Sequence, residues 1–222
     1  MATRETEKNK ELSAGEAAAL FIQNHRRPLL VILAVIVAGI IGFVAVFSVT
    51  NALQKNAIVR VDEYAQRLAE IGDPASSEAG GLLEELNGFA PKTFGYSAGK
   101  AYSLVADIYA ARKEWALAEE AWFTSAQKAP GIFLAPFSLF NAGVAAEEQG
   151  KLDKALEYHT LCVEYDGLNP AAVRAQFSIG RIEEQRNNTE KAIEAYRKVI
   201  ENWGANANWS NLARSRIIAL GG

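Results

Sequence analysis

The chain has 222 residues, of which 23 are Lys or Arg and 26 are Asp or Glu, so its formal net charge is −3. An acidic chain of this kind lacks the basic surface that a phosphate backbone requires, which excludes nucleic-acid binding. Its single cysteine, Cys162, excludes an internal disulfide.

The first residues of the chain are polar. Residues 1–11 have no apolar periodicity, so we expect a disordered cytosolic tail. Ser13 and Glu16 have the spacing of a helix capping box. Residues 12–28 are therefore predicted to hold a short amphipathic lead-in helix.

The most apolar stretch covers residues 29–47, nineteen consecutive positions without a polar side chain. A helix of this length measures roughly 28 Å, close to the hydrocarbon thickness of a bilayer. A core helix of a soluble protein, the alternative, usually has a shorter apolar run. A cleaved signal peptide would have an apolar region of about 7 to 15 residues followed by a small-residue cleavage site. We therefore predict an uncleaved transmembrane helix over residues 29–49.

Positive charge borders the N-terminal end of this segment. Arg26 and Arg27 directly precede it, whereas Lys55 and Arg60 follow at a greater distance and lie near acidic residues. The positive-inside rule then predicts a cytoplasmic N-terminus and places the C-terminal domain on the opposite face.

Small residues form one stripe on the predicted membrane helix. Ala34, Ala38 and Gly42 recur every four residues, a spacing that allows a partner helix to approach closely. Small residues are also common in membrane helices, so specific packing and ordinary composition both remain open.

Residues 50–95 are predicted to form a membrane-proximal helical hairpin. Apolar residues recur at helical spacing from residue 51 to Ile71, in a helix expected to continue from the span without a break. Gly72 and Pro74 end that helix. A second helix is predicted from Ser76 to Leu86.

From residue 96 onward the sequence repeats with a period of 37 residues. Each unit has a small residue, a second small residue twelve positions later, and a ring four positions after that. This spacing predicts two helices packed side by side, with the ring filling the gap beyond the two small residues. The three sets are Ala106, Ala118 and Trp122; Gly143, Ala155 and His159; and Gly180, Ala192 and Tyr196.

These sets resemble the tetratricopeptide repeat (TPR). The first unit also has Tyr102, Tyr109 and a closing Pro130, which makes it the most complete match. The resemblance implies an all-α fold, in which a single N-terminal transmembrane helix precedes a TPR-like α-solenoid of about three repeats over residues 96–206, with capping helices. The family period is 34 residues, so each junction here has about three extra residues.

The last segment, residues 207–222, is predicted to form a capping helix. Asn208 is expected to cap a helix from about Trp209 to Leu220. Such a helix usually covers the apolar side of the last repeat.

No set of residues supports catalysis, a metal site or a cofactor site. His159 and Cys162 share a helical face, as a Cys-His pair would, but both occupy packing positions of the second repeat, which favours a role in the core. Three adjacent acidic pairs point apart on their helices, so we expect them to be solvated. These pairs are Glu119 and Glu120, Glu147 and Glu148, and Glu183 and Glu184. No enzymatic activity is predicted.

The TPR resemblance implies that the first helix of each repeat lines a concave protein-binding groove. Phenylalanines flanked by arginines would form an apolar patch for an extended or helical peptide. Packing of some of these phenylalanines against a neighbouring repeat is the open alternative. The expected groove residues are Lys100, Ser103, Asp107, Phe137, Phe140, Val144, Arg174, Phe177 and Arg181.

The order of the parts resembles the YfgM-like family of bacterial inner-membrane proteins associated with the translocon. This resemblance is one of architecture, without a diagnostic motif. It implies a single-pass inner-membrane protein whose periplasmic TPR domain is an adaptor that binds protein partners or clients and assists export or envelope protein assembly. Its implied partners are translocon or other envelope proteins and the lipid bilayer, and its oligomeric state is left open. The alternative is a structural scaffold component of an envelope-spanning secretion or motility machine.

Overall fold

The computed structural model describes residues 14–131, 133–165 and 169–222, and within these ranges every regular element is a helix. The expected all-α fold is therefore confirmed. The predicted tail at residues 1–11 and the capping residue Ser13 lie outside the described residues. The chain divides into two compact units, residues 1–53 and residues 54–222.

The first unit contains helix α1, Ala14–Asn24, and the apolar part of helix α2, Arg26–Ile71. Within the described residues, α2 is the one helix that is long and apolar enough, by length and composition, to cross a membrane. The most apolar stretch of α2, 18 residues long, is not buried by other parts of the protein. A core helix of a soluble protein would be mostly buried, so α2 is a candidate membrane span.

The second unit begins with the last turns of α2 and helix α3, Ser77–Phe89, followed by a short 3-10 helix, Ala90–Lys92. Ser76 caps α3 by accepting a hydrogen bond from the amide of Ala79 at 3.3 Å. Helix α3 ends three residues later than the expected Leu86, because the helix continues through Asn87 and Gly88.

Six helices form three antiparallel pairs, and a seventh helix follows them. The pairs are α4 (Gly95–Ala111) with α5 (Trp115–Lys128), α6 (Leu134–Glu148) with α7 (Leu152–Val163), and α8 (Ala172–Gln185) with α9 (Thr189–Trp203), and the last helix is α10 (Ala207–Ala219). This arrangement confirms the expected TPR-like solenoid. The prediction that Asn208 is the helix cap was wrong: α10 already begins at Ala207, so Asn208 lies within its first turn.

The turn inside each pair has the same geometry in all three repeats. Its second residue has a left-handed backbone conformation, at Lys113 (φ 60°), Gly150 (φ 71°) and Asn187 (φ 62°). In the first repeat the amide of Glu114 then donates to the carbonyl of Tyr109 at 2.9 Å. These turns also recur every 37 residues, so the repeat includes its connections as well as its helices.

The core of each pair is built from small residues facing a ring. Ala118, Ala155 and Ala192 are fully buried. In the third repeat a Cβ atom added at Gly180 would lie 2.6 Å from Cε1 of Tyr196, so only glycine fits against that ring. The small residues therefore set how closely the two helices of a pair approach.

Candidate functional site

The first helices of the repeats form the inner face of the array. Helix α4 contacts α6, α6 contacts α8, and α8 contacts α10. Within the described part of the chain, no comparable contact joins the second helices, α5 to α7 or α7 to α9. The array is therefore curved toward its first helices, which line its concave face.

A recurring contact joins the two helices of each repeat at this face. In every repeat, a carboxylate on the first helix is hydrogen-bonded to the ring on the second helix. The three contacts are Trp122 Nε1 to Asp107 at 3.3 Å, His159 Nε2 to Glu147 at 2.9 Å, and Tyr196 Oη to Glu184 at 3.0 Å. The ring that fills the gap between the helices thus also binds a polar group at the groove.

In the second and third repeats, an arginine from the helix that follows the pair also binds the carboxylate. Arg181 pairs with Glu147, and Arg216 donates from Nε to Glu184 at 3.1 Å. Burial alone would raise the pKa of Glu147, but the hydrogen bonds and charges of His159 and Arg181 outweigh it and hold the pKa below its ordinary value. Both carboxylates are therefore neutralised within the chain.

The acidic pairs expected to be solvated are only partly so. Glu119 is 8% exposed and Glu183 is 7% exposed, and Glu147 and Glu184 make the ring contacts described above. That prediction was wrong for these four residues. Adjacent side chains on a helix point apart, so one or both members of a pair can face another part of the protein. The spacing of twelve residues from Glu147 to His159 and from Glu184 to Tyr196 was the available signal.

Asp107 differs from the other two carboxylates. It is half-buried, and its hydrogen bond comes from the neutral indole of Trp122. Burial raises the pKa of Asp107 above its ordinary value, although Trp122 and the charge of Lys100 act in the opposite direction. Among the described residues, no cationic group lies within ion-pair distance of Asp107.

The three expected groove phenylalanines have different environments. Phe140 is only 6% exposed: its ring lies 5.3 Å from the His159 ring, and the guanidinium of Arg174 covers it at 4.4 Å. Phe137 and Phe177 remain half-buried. Phe140 therefore forms the floor of the groove, and the other two rings are accessible at its surface.

A cavity of about 430 Å³ lies where the third repeat meets α10. The ring of Phe177 stands 5.1 Å from Tyr196 and 5.3 Å from Trp209. Arg181 and Arg216 also line this cavity. Trp209 and Arg216 belong to the final helix, so that helix contributes to the groove as well as covering the last repeat.

The remaining expected groove residues are at least partly accessible. Ser103, Lys100 and Val144 are half-buried, and Arg174 and Arg181 are exposed. Lys100, Ser103 and Asp107 come from α4, Phe137, Phe140 and Val144 from α6, and Arg174, Phe177 and Arg181 from α8.

His159 and Cys162 are both fully buried, which agrees with a packing role for these residues. The thiol of Cys162 donates to the carbonyl of Pro136 at 3.2 Å, and burial raises its pKa to about 12. A thiol of that kind is a poor nucleophile. Over the described residues, no group of His, Cys, Asp or Glu is arranged to hold a metal ion.

The small-residue stripe lies on α2. Ala34, Ala38 and Gly42 are exposed, and nothing lies within 4 Å of a Cβ atom added at Gly42. The stripe thus has room for another helix.

Sequence comparison finds related repeats. A tetratricopeptide repeat model matches residues 163–207, the segment that contains α8 and α9. A TPR repeat-containing protein from Treponema pallidum (strain Nichols) is 29% identical over an alignment 220 positions long, and the match covers 90% of this chain and 91% of that protein.

A solved structure has a similar fold. It is described as a Podosopora anserina kinesin light chain with nearly identical TPR-like repeats, and it matches with a TM-score of 0.52 at 18% identity. The match covers 68% of this chain and 77% of that chain. At this identity the match bears on the fold alone. Together with the three helix pairs, these similarities support a TPR protein, a fold that typically serves protein–protein interaction.

Proposed function

We propose that this protein is a membrane-anchored TPR adaptor that binds protein partners or clients on the periplasmic face of a bacterial inner membrane. One observation carries the proposal. The same chain contains a TPR-like array and a helix, α2, whose most apolar stretch is not buried by the rest of the protein. The apolar helix is the membrane anchor. The array is the binding module.

The concave face is the binding surface in this proposal. Phe137, Val144 and Phe177 offer accessible apolar contacts, with Arg174 and Arg181 beside them. Such a surface suits an extended or helical peptide that carries apolar side chains. Phe140 supports the surface from below and does not itself contact the partner.

The orientation follows from charge, and the cellular setting from similarity. Arg26 and Arg27 border the anchor on its N-terminal side, which favours a cytoplasmic N-terminus. The Treponema pallidum relative is bacterial. The resemblance in architecture to the YfgM-like family suggests that the partners are translocon or other envelope proteins, and that the role is export or envelope protein assembly.

The small-residue stripe gives the anchor a second role in the proposal. A partner membrane helix would pack against Ala34, Ala38 and Gly42. Ala38→Leu should then weaken co-purification of a membrane partner, whereas Val37→Leu, on another face of the helix, should not. Equal co-purification with both variants would contradict this role.

Site-specific photocrosslinking in intact membranes tests the binding face. A photoreactive residue at Phe137 or Phe177 should form crosslinks to partner proteins. The same residue at Thr160, which is exposed on the second helix of its repeat, should not. Many different crosslinked proteins support the adaptor, a single stoichiometric partner supports the scaffold of an envelope machine, and no crosslinks above the Thr160 control would contradict a concave binding site.

Topology is tested independently of binding. A reporter enzyme that is active only outside the cytoplasm, fused to Gly222, should be active. The same fusion without residues 29–47 should be silent. A silent full-length fusion would contradict the periplasmic placement.

A further inference from the structure

The groove carboxylates of the three repeats have different partners. Glu147 and Glu184 each receive a ring hydrogen bond and an arginine from the next helix. Asp107 receives the ring hydrogen bond without a cation at ion-pair distance in the described chain. The three carboxylates are not at equivalent positions of the repeat, because one period of 37 residues relates Glu147 to Glu184 but relates Asp107 to Val144. The site at Asp107 has a ring contact of the same kind and lacks the cation.

The position that would supply this cation is Asn141. The offset of 34 residues that joins Glu147 to Arg181 also joins Asp107 to Asn141, at a site one helical turn earlier on both first helices. Asn141 lies on α6, which contacts α4, the helix of Asp107. The chain thus has an uncharged amide, and no guanidinium, at this offset from Asp107.

A half-buried carboxylate without a cation is costly, because its lost hydration is replaced by a single neutral donor. Lys100 lies two helical turns away on the same helix, and its ammonium stays outside ion-pair distance. A cation brought from outside would restore the arrangement that the chain builds for itself at Glu147 and Glu184. Electrostatic complementarity of this kind favours one partner over another.

The surroundings define the kind of residue that fits. Phe137, Asn141 and Val144 are spaced by four and three residues, so they share one face of α6. A cationic side chain entering beside Asn141 would have apolar groups on both sides along that face. The aliphatic stem of a lysine or arginine matches these apolar neighbours.

We propose that Asp107 is the subsite for a lysine or arginine side chain of the bound protein partner. The assignment rests on the proposed concave binding face. It adds that this face prefers a partner segment with a basic residue at the first repeat. The cation pairs with Asp107 as Arg181 pairs with Glu147.

Three variants isolate the subsite. Asp107→Asn removes the charge and keeps an oxygen that can accept from Trp122. Asn141→Arg supplies the cation within the chain and so fills the subsite. Asn141→Gln changes the same position without adding charge and is the matched control.

The probe is a random nonapeptide library displayed on phage, selected against the full-length chain in detergent. Peptides selected by the wild-type protein should be enriched in Lys or Arg at one position. Replacement of that residue by norleucine in a synthetic peptide should weaken binding at least about tenfold. The enrichment should disappear with Asp107→Asn and Asn141→Arg and persist with Asn141→Gln. Far-UV circular dichroism confirms that each variant is folded.

Two results would overturn the assignment alone: peptides without a basic preference, or a basic preference that survives Asp107→Asn. In both cases the binding face itself would stand. Failure of the wild-type protein to select any peptide above background would overturn the concave binding face, and the subsite with it.

Discussion

The imidazole of His159 lies directly against Gly143: a Cβ atom on residue 143 would lie 2.6 Å from Cε1 and 2.8 Å from Nδ1 of the ring. Gly180 has the same relationship to Tyr196, one period later. The absence of a side chain at these glycines is therefore a structural requirement of the second and third repeats, since a Cβ atom cannot approach another atom so closely without displacing it.

Gly143→Ala and Gly180→Ala should each destabilise the protein. Because the opposing rings are fully buried and cannot move aside, we expect a loss of about 1 to 3 kcal/mol in the free energy of unfolding. Gly81→Ala, at an exposed position of α3 with nothing within 4 Å, is the matched control and should be neutral or gain about 0.5 to 1 kcal/mol. Urea unfolding followed by circular dichroism measures all three, and equal stability of Gly143→Ala and wild type would contradict the close contact.

Two substitutions at equivalent positions of the repeat turn should change the free energy of unfolding in opposite directions. Lys113 has a positive φ that costs a residue with a side chain roughly 1 kcal/mol, so Lys113→Gly should stabilise the chain by up to that amount. Gly150 has the same conformation without that cost, so Gly150→Ala should destabilise it similarly. Thermal unfolding of both variants beside wild type tests the pair. A loss of stability in Lys113→Gly would show that the flexibility of glycine in the unfolded chain outweighs the relieved strain.

Stability should fall in acid partly through Glu147. Its pKa in the folded protein lies below its ordinary value of about 4.3 in an unfolded chain. The unfolded state therefore takes up its proton first, so the stabilisation is complete above about pH 5 and is lost as the pH falls through the folded-state pKa. Glu147→Gln should flatten the dependence of the unfolding free energy on pH between about 5 and 3. Arg181→Gln keeps the contact to His159 and should retain part of the slope, whereas an unchanged slope in Glu147→Gln would rule out this contribution.

Labelling of the Cys162 thiol should show when the second repeat unfolds. It is fully buried, and burial raises its pKa to about 12, so a maleimide at pH 8 should not label the native chain. Because it is the single cysteine of the chain, labelling should appear only as the protein unfolds in urea. Thr160→Cys in a Cys162→Ala background places a thiol at an exposed site on the same helix and should label at once. Rapid labelling of native wild type, read by mass spectrometry, would contradict the burial of Cys162.

The two rings on the groove side of neighbouring repeats should respond differently to truncation. Phe140→Ala removes a buried ring beneath Arg174 and should cost about 3 to 5 kcal/mol. Phe177→Ala removes a half-buried ring and should cost less in stability, while partner capture at the groove should fall. Unfolding measurements and photocrosslinking from Phe137 separate the two effects. Equal stability losses for both variants would contradict the difference in burial.

The sequence predicts the repeat well because its signals are local and periodic. Ala106, Gly143 and Gly180 mark the first helices, and a ring sixteen residues later marks the second. The turn residues Lys113, Gly150 and Asn187 share a conformation but are three different residue types, so residue identity did not reveal them. Backbone conformation is set here by the helices on both sides of the turn.

The groove is only partly predictable. The sequence placed Phe137, Phe140 and Phe177 on the first helices, but the depth of each ring depends on what covers it, and Arg174 comes from the next repeat. Glu147 was expected to be solvated because its partner His159 lies twelve residues away on another helix. Contacts across helices decide which side chains reach the surface, and they are not encoded by spacing along one helix.

The ring and the glycine against which it packs belong to the same helix pair, so both partners of this close contact come from one repeat. A gene duplication that copied one 37-residue unit would therefore copy both the ring and the small residues against which it packs. An array built in this way can gain or lose whole units while that fit is kept, and the reach of the groove along a bound partner would change in equal steps.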